Sequence, residues 1–72
     1  MTPFKAAAAL FAAGYDQAAI RAMLAEAEKF PGRWAYAADR RRCVVKHMPA
    51  GEWEVVDCEE SENRIRAARG RS

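Results

Sequence analysis

The chain has 72 residues, enough for one small domain that buries only about 60% of the surface its unfolded form exposes. Hydrophobic residues make up 51% and charged residues 31% of the chain, a globular composition that excludes an intrinsically disordered protein. The net charge of +2 neither requires nor excludes a nucleic-acid partner, and no apolar run approaches the roughly 20 residues that span a bilayer. We expect a single cytoplasmic domain over residues 1–72, without a signal peptide or membrane anchor.

The first predicted element is a helix at about residues 3–13. Thr2 is a good N-cap, and Pro3 occupies the first helical position, where its missing N–H has no cost. Gly14 can adopt the left-handed conformation that ends a helix. The i, i+3, i+4, i+7 spacing of one helix face is occupied by apolar residues, namely Phe4, Ala7, Ala8 and Phe11.

A second helix is predicted at about residues 17–29, after the N-cap Asp16. Pro31 and Gly32 stop it, because proline disfavours the helical conformation in the residue before it. The apolar stripe of this helix consists of Ile20, Met23, Leu24 and Ala27. The link between the two helices is so short that they must be neighbours in space.

Three strands are predicted next, at about residues 33–38, 41–48 and 52–58. The last two carry paired valines on either side of a Pro-Ala-Gly turn and therefore form a hairpin. With Ala50 and Gly51 at the turn centre, the expected facing pairs are Met48 with Trp53, Val45 with Val56, and Cys43 with Cys58.

The last predicted element is a short helix at about residues 61–69, capped by Ser61 and ended by Gly70. The expected fold class is thus α+β, with an N-terminal helical hairpin packed on a two- or three-stranded antiparallel sheet and a short C-terminal helix. The core is expected to draw on the larger apolar residues: Phe4, Leu10, Phe11, Tyr15, Ile20, Met23, Leu24, Phe30, Trp34, Tyr36, Val44, Val45, Trp53, Val55, Val56 and Ile65. This core is small, and a homodimer would enlarge it.

The segment 6–25 resembles a helix-turn-helix in its layout, with a glycine at the turn between two helices. Gln17 and Arg21 are the residues of the second helix suited to reading base edges. Acidic residues on the same helix, among them Glu26 and Glu28, would repel phosphate. A plain helical hairpin accounts for the same residues and is the simpler interpretation.

Basic residues form two clusters that suit contacts with phosphate. One cluster surrounds the start of the hairpin, at Arg40, Arg41, Arg42 and Lys46, and the other fills the C-terminal segment, at Arg64, Arg66, Arg69 and Arg71. The C-terminal cluster has a second explanation, because Glu60 with Arg64 and Glu62 with Arg66 are favourable i, i+4 pairs within one helix. The triple arginine has no such local explanation.

Cys43, His47 and Cys58 share one face of the expected hairpin, and Glu54 is the only candidate for a fourth metal ligand there. This spacing matches no common zinc pattern, so buried free thiols are the favoured interpretation and no metal or cofactor is expected. A disulfide would require an oxidising compartment. One histidine and no phosphate-binding loop or catalytic triad favour a protein that is not an enzyme.

Two functions fit these features. The first is a small DNA-binding regulator of winged-helix-like type that uses Gln17, Arg21 and the basic clusters. The alternative is a compact inhibitor or adaptor, of the kind that phages and plasmids encode, that binds a nucleic-acid-associated protein through Tyr36 and Trp53. These aromatic residues have a structural interpretation as well, because they can form the core between sheet and helices.

Overall fold

The computed structural model describes residues 1–70. The elements follow the order α1 (Pro3–Ala12), α2 (Gln17–Lys29), β1 (Ala35–Tyr36), β2 (Arg42–His47), β3 (Glu52–Asp57) and α3 (Cys58–Arg69). The three strands form one antiparallel sheet in the order β1-β2-β3. The predicted α+β class is therefore confirmed.

Both N-terminal helices begin at the predicted caps. The hydroxyl of Thr2 accepts a hydrogen bond from the backbone N–H of Lys5 at 3.1 Å, and the carboxylate of Asp16 accepts one from Ala19 at 2.8 Å. Between the helices, Gly14 has a φ of 100°, a conformation that glycine adopts without strain. Local sequence signals thus fix both helix starts and the corner between them.

The register of the hairpin differs from the prediction by two residues. The predicted pairs of Met48 with Trp53, Val45 with Val56 and Cys43 with Cys58 are wrong, because Trp53 faces Lys46, Val56 faces Cys43, and the strands close at His47 and Glu52. The loop between them has four residues, and the N–H of Gly51 donates to the carbonyl of His47 at 2.8 Å. A slip of two residues keeps every side chain on its predicted face, because the side-chain period of a strand is two.

Two element bounds also differ from the predictions. β1 has only two residues, since the N–H of Arg33 donates to the carbonyl of Phe30 in a turn and the N–H of Arg40 donates to Ala37 in the next. α3 begins at Cys58 directly after β3 rather than at Ser61. Ser61 is consequently not the cap but a buried residue inside the helix, where its hydroxyl donates to the carbonyl of Cys58 at 2.8 Å.

The helices cover opposite faces of the sheet. α1 and α2 pack on the face that carries Val44 and Trp53, and this side holds the main apolar core. The alternate residues of the same strands, among them Cys43 and Glu54, point to the other face, where Glu54 binds Arg64 of α3. No helix among residues 1–70 is long and apolar enough to cross a membrane.

Candidate functional site: a groove between the N-terminal helices

α1 turns a different face to the sheet than its phenylalanine stripe predicts. Ala6 and Leu10 are completely buried, whereas Phe4 is 83% exposed and Phe11 is 72% exposed. The expectation that these two phenylalanines belong to the core is therefore wrong, and Phe30, which is 41% exposed, is also misplaced in it. The side of α1 that carries the small Ala6 packs toward the sheet. The large rings of α1 therefore face away from the sheet.

The exposed rings form one side of an apolar groove of about 520 Å³ between α1 and α2. We call it the Phe4–Phe11 groove. Four residues of α1 and four of α2 line it, namely Phe4, Ala7, Ala8, Phe11, Gln17, Ile20, Arg21 and Leu24. An open apolar groove with few polar side chains at its edge is the usual form of a binding surface for another molecule.

Gln17 and Arg21, the predicted base-reading residues, lie in this groove. Both are exposed, and Arg21 makes no ion pair with any residue in the part of the chain that the structure describes. Next to the exposed phenylalanine rings they provide the polar part of a mainly apolar surface.

The three consecutive arginines have three different environments. Arg42 is paired with Asp57 at 2.8 Å, and the guanidinium of Arg40 stacks on the ring of Tyr36 at 5.1 Å. Arg41 is exposed and forms no ion pair within residues 1–70. Arg40 also has a φ of 60°, in the left-handed region that side chains other than glycine rarely adopt.

A tyrosine at the helix corner supports the turn that carries these arginines. The hydroxyl of Tyr15 donates to Asp39 at 2.7 Å, and the same carboxylate oxygen accepts the backbone N–H of Arg41 at 3.0 Å. The hydrogen bond from Tyr15 holds the pKa of Asp39 below its usual value, and burial followed by the neighbouring Asp39 raises the pKa of Tyr15. The corner between α1 and α2 is thus tied to the turn between β1 and β2.

Lys46 and Arg64 form ion pairs with acidic residues of the same chain. The ammonium of Lys46 lies 3.6 Å from Glu28 and above the ring of Trp53. Arg64 contacts Glu54 at 2.6 Å and Glu60 at 3.2 Å. Both side chains therefore already have partners, which lowers their attraction for phosphate.

The remaining basic residues of the prediction lie on the other side of the molecule. Arg66 and Arg69 are exposed on α3 and line a shallow pocket with Glu62 and Ile65; Arg71 lies outside the described residues. Because α3 covers the opposite face of the sheet from α2, these arginines and Arg21 do not share one surface. The structure thus divides the predicted phosphate contacts among separate regions.

Neither predicted aromatic contact residue is free at the surface. Trp53 is only 3% exposed and packs in the core with α1 and α2. Tyr36 is half-buried beneath Arg40. The most exposed aromatic side chains among residues 1–70 are instead those of Phe4 and Phe11 in α1.

Cys43 of β2 and Cys58, the first residue of α3, are buried free thiols. Burial raises the pKa of the Cys43 thiol to about 11, so the group is uncharged at neutral pH. His47 donates to Glu54 at 3.0 Å instead of joining the thiols. Within residues 1–70, no group of three or more histidine, cysteine or acidic side chains is placed to hold a metal ion.

Sequence reasoning did not identify the groove because α1 has large apolar residues on two sides. The phenylalanine stripe satisfies the i, i+3, i+4, i+7 rule, which predicts a core position for it. Leu10 could have indicated the correct face. It is a large apolar residue outside that stripe, and its side of the helix is the buried one. A single sheet covers one side of such a helix, so the second apolar side stays exposed.

Comparison of the chain with protein-family models, curated proteins and solved structures found no match. Its function is therefore inferred from its own geometry.

Proposed function

We propose that this protein is a non-enzymatic protein-binding module whose contact surface is the Phe4–Phe11 groove. The exposure of the two phenylalanine rings carries this proposal. Burial of one phenylalanine side chain contributes about 1.5–3 kcal/mol, so a chain with a small core gains much by covering both. Contiguous apolar patches on small monomeric proteins usually mark sites of interaction.

The composition of the groove favours a protein contact over a nucleic-acid contact. Its lining has a single charged side chain, Arg21, whereas binding to a nucleic-acid backbone depends on several cations on one surface. On the α1 side of the groove, only the methyl groups of Ala7 and Ala8 lie between the exposed rings of Phe4 and Phe11. Aromatic residues around a small-residue gap are suited to a helix of another chain.

The proposal includes a reducing compartment such as the cytoplasm. Both cysteines are buried and unbridged, and free buried thiols are typical of proteins kept under reducing conditions. The interior of the domain is stabilised without a disulfide.

DNA binding is the second candidate function, and a specific observation favours it. Arg40, Arg41, Arg66 and Arg69 form no ion pair among residues 1–70, so they are available for phosphate. Their separation on the molecule and the ion pairs of Arg42, Lys46 and Arg64 make this the weaker proposal. DNA affinity that falls steeply with salt and is abolished by replacing Arg40, Arg41 and Arg42 with alanine would support it.

The test is capture of partners from an extract of the parent cell by the immobilised protein. We expect at least one protein to be retained in moderate salt and after nuclease treatment. A further copy of this chain counts as such a protein. The Phe4→Ala/Phe11→Ala double variant should lose it. Met48→Ala is the matched control, because Met48 is an exposed apolar residue outside the groove.

Two results would overturn the proposal of a protein-binding groove. One is equal capture by the double variant and the Met48→Ala control. The other is capture that disappears with nuclease and with the triple arginine replacement, which would support DNA binding instead. Circular dichroism of each variant must show the helical content of the native chain.

A further inference from the structure

We infer that the Phe4–Phe11 groove binds the same groove of a second copy, so that two α1 helices pack antiparallel in a symmetric dimer. The inference rests on the proposed function, since it names the partner of the same surface. It depends on the arrangement of residues along α1, on the area that becomes covered and on the charge of the contact.

The stripe of α1 that lines the groove is symmetric about its own centre. Phe4 and Ala7 precede the midpoint between residues 7 and 8 by the same distances by which Phe11 and Ala8 follow it. A two-fold axis through this midpoint places Ala7 beside the partner's Ala8 and each Phe4 level with the partner's Phe11. A symmetric interface requires such reciprocal pairs, in which residue i contacts residue j and j contacts i.

Alanines at the centre let the two helices approach closely. Interaxial distances between packed helices are about 8–10 Å and depend on the side chains at the contact. With only methyl groups at Ala7 and Ala8, the helix backbones can come to the short end of this range. The phenylalanine rings then lie on either side of the crossing point, against the partner's half-buried Leu24 in its groove.

The exposed phenylalanine rings supply a large part of the area that a small dimer needs. A specific interface buries at least about 1,200 Å² in total, and an aromatic side chain buries about 150–250 Å². The four phenylalanines of a dimer are mostly exposed in the single chain, so they supply on the order of 500 Å². Ala8, Gln17 and Arg21 are also exposed and line the same groove, so they extend the contact in both copies.

Charge allows this contact and gives no preference for a charged partner. Lys5 is the only charged residue of α1 and does not line the groove. Arg21 lies at the edge, where its guanidinium can stay in water. Two copies therefore meet through neutral side chains at the centre, as in the apolar middle of a typical homodimer interface.

The experiment compares two substitutions of the same kind on one helix. Ala8 lines the groove at the centre of the proposed contact, whereas Ala12 is exposed on α1 outside the groove. Sedimentation equilibrium from micromolar to millimolar concentration should give the native chain twice its monomer mass of 8.0 kDa at the upper end. Ala8→Glu places two carboxylates together at the axis and should weaken the dimer by at least about 100-fold, since like charges in a contact cost several kcal/mol. Ala12→Glu should change the dissociation constant less than about threefold.

A direct contact measurement and a milder variant keep the inference testable if Ala8→Glu fails to fold. In a dimer mixed from isotope-labelled and unlabelled chains, nuclear Overhauser effects should connect Phe4 with the partner's Phe11. The Phe4→Ala/Phe11→Ala variant should be monomeric and helical, because it removes area without adding charge.

The outcomes separate this inference from the proposed function. A native chain that is monomeric at millimolar concentration, or equal dimerisation of Ala8→Glu and Ala12→Glu, overturns the symmetric dimer. If capture of a different protein is nevertheless lost in the Phe4→Ala/Phe11→Ala variant, the protein-binding groove stands with another occupant. If neither dimerisation nor capture depends on the phenylalanines, both proposals fail.

Discussion

The two faces of the sheet are covered by helices of different character. Toward α1 and α2, the interior consists of apolar side chains, with Leu10, Val44 and Trp53 at its centre. Toward α3, a buried thiol at Cys43 and a buried hydroxyl at Ser61 lie beside exposed ion pairs. Apolar burial does not depend on pH, whereas thiols and carboxylates titrate, so the two faces should respond differently to mutation and to pH.

The largest expected effect comes from the apolar face. Leu10→Ala should lower the free energy of unfolding by about 2–5 kcal/mol, because it leaves a cavity at a completely buried position. Phe11→Ala, at the next position of the same helix, should change it by no more than about 0.5 kcal/mol in the monomer, since the ring is in water. Urea denaturation at low protein concentration measures both, and equal losses would contradict the orientation of α1.

The next effect should come from the thiol on the α3 face. Burial raises the pKa of Cys43 from an ordinary value of 9.0 to about 11, so the unfolded chain releases this proton first as the pH rises. Titration of Cys43 therefore leaves the free energy of unfolding unchanged below pH 9. Between the two pKa values it should lower this free energy by up to about 1.4 kcal/mol per pH unit. Cys43→Ala should remove this component of the pH dependence, and the difference between the two denaturation series isolates it from lysine and tyrosine titration. Parallel series for both proteins would contradict the assignment.

A smaller effect is expected at acidic pH from Glu54. Its hydrogen bond with His47, followed by that with Arg64, holds the pKa of this carboxyl below the ordinary 4.5. The stabilisation is thus present above that value and is lost as the pH falls through the lowered pKa. Glu54→Gln should reduce stability at neutral pH by about 0.5–1 kcal/mol and have little effect in acid. Glu60→Gln is the control, because within residues 1–70 Glu60 forms an ion pair with Arg64 alone, and an equal loss there would disprove a special role of Glu54.

An effect as small as that of Glu54 is expected in the turn between β1 and β2. Arg40→Ala should lower the free energy of unfolding by about 0.5–1 kcal/mol, because it removes the stacking on Tyr36. The backbone of this variant remains in the left-handed region. Arg40→Gly loses the same contact but relieves the backbone, so it should be more stable than Arg40→Ala by about 1 kcal/mol. Thermal denaturation of the pair measures this difference, and the reverse order would exclude strain at this position.

Local signals in the sequence predict much of this fold. Thr2 and Asp16 fix the helix starts, and the valines of β2 and β3 reveal which strand residues share a face. The register was not predictable from the Pro-Ala-Gly turn, because loops of two and four residues give the same alternation.

The candidate site was less predictable than the fold. An alanine-rich helix can pack through several of its sides, and the shape of the sheet decides between them. Here Ala6 and Leu10 are inside and the phenylalanine stripe is outside. Likewise, the sequence gives the positions of the arginines along the chain. It does not show that Arg42 and Arg64 form ion pairs with acidic residues of other elements.

The two tryptophans lie in different environments, which fluorescence can distinguish. Trp53 is enclosed by the α1 and α2 layer, so its emission should lie at short wavelength and report the opening of that layer alone. Trp34 is half-buried and meets the ring of His47 edge-on, with the ring centres 6.4 Å apart. Because the chain has only these two tryptophans, a Trp34→Phe variant leaves the buried indole of Trp53 as its single tryptophan emitter and isolates that report.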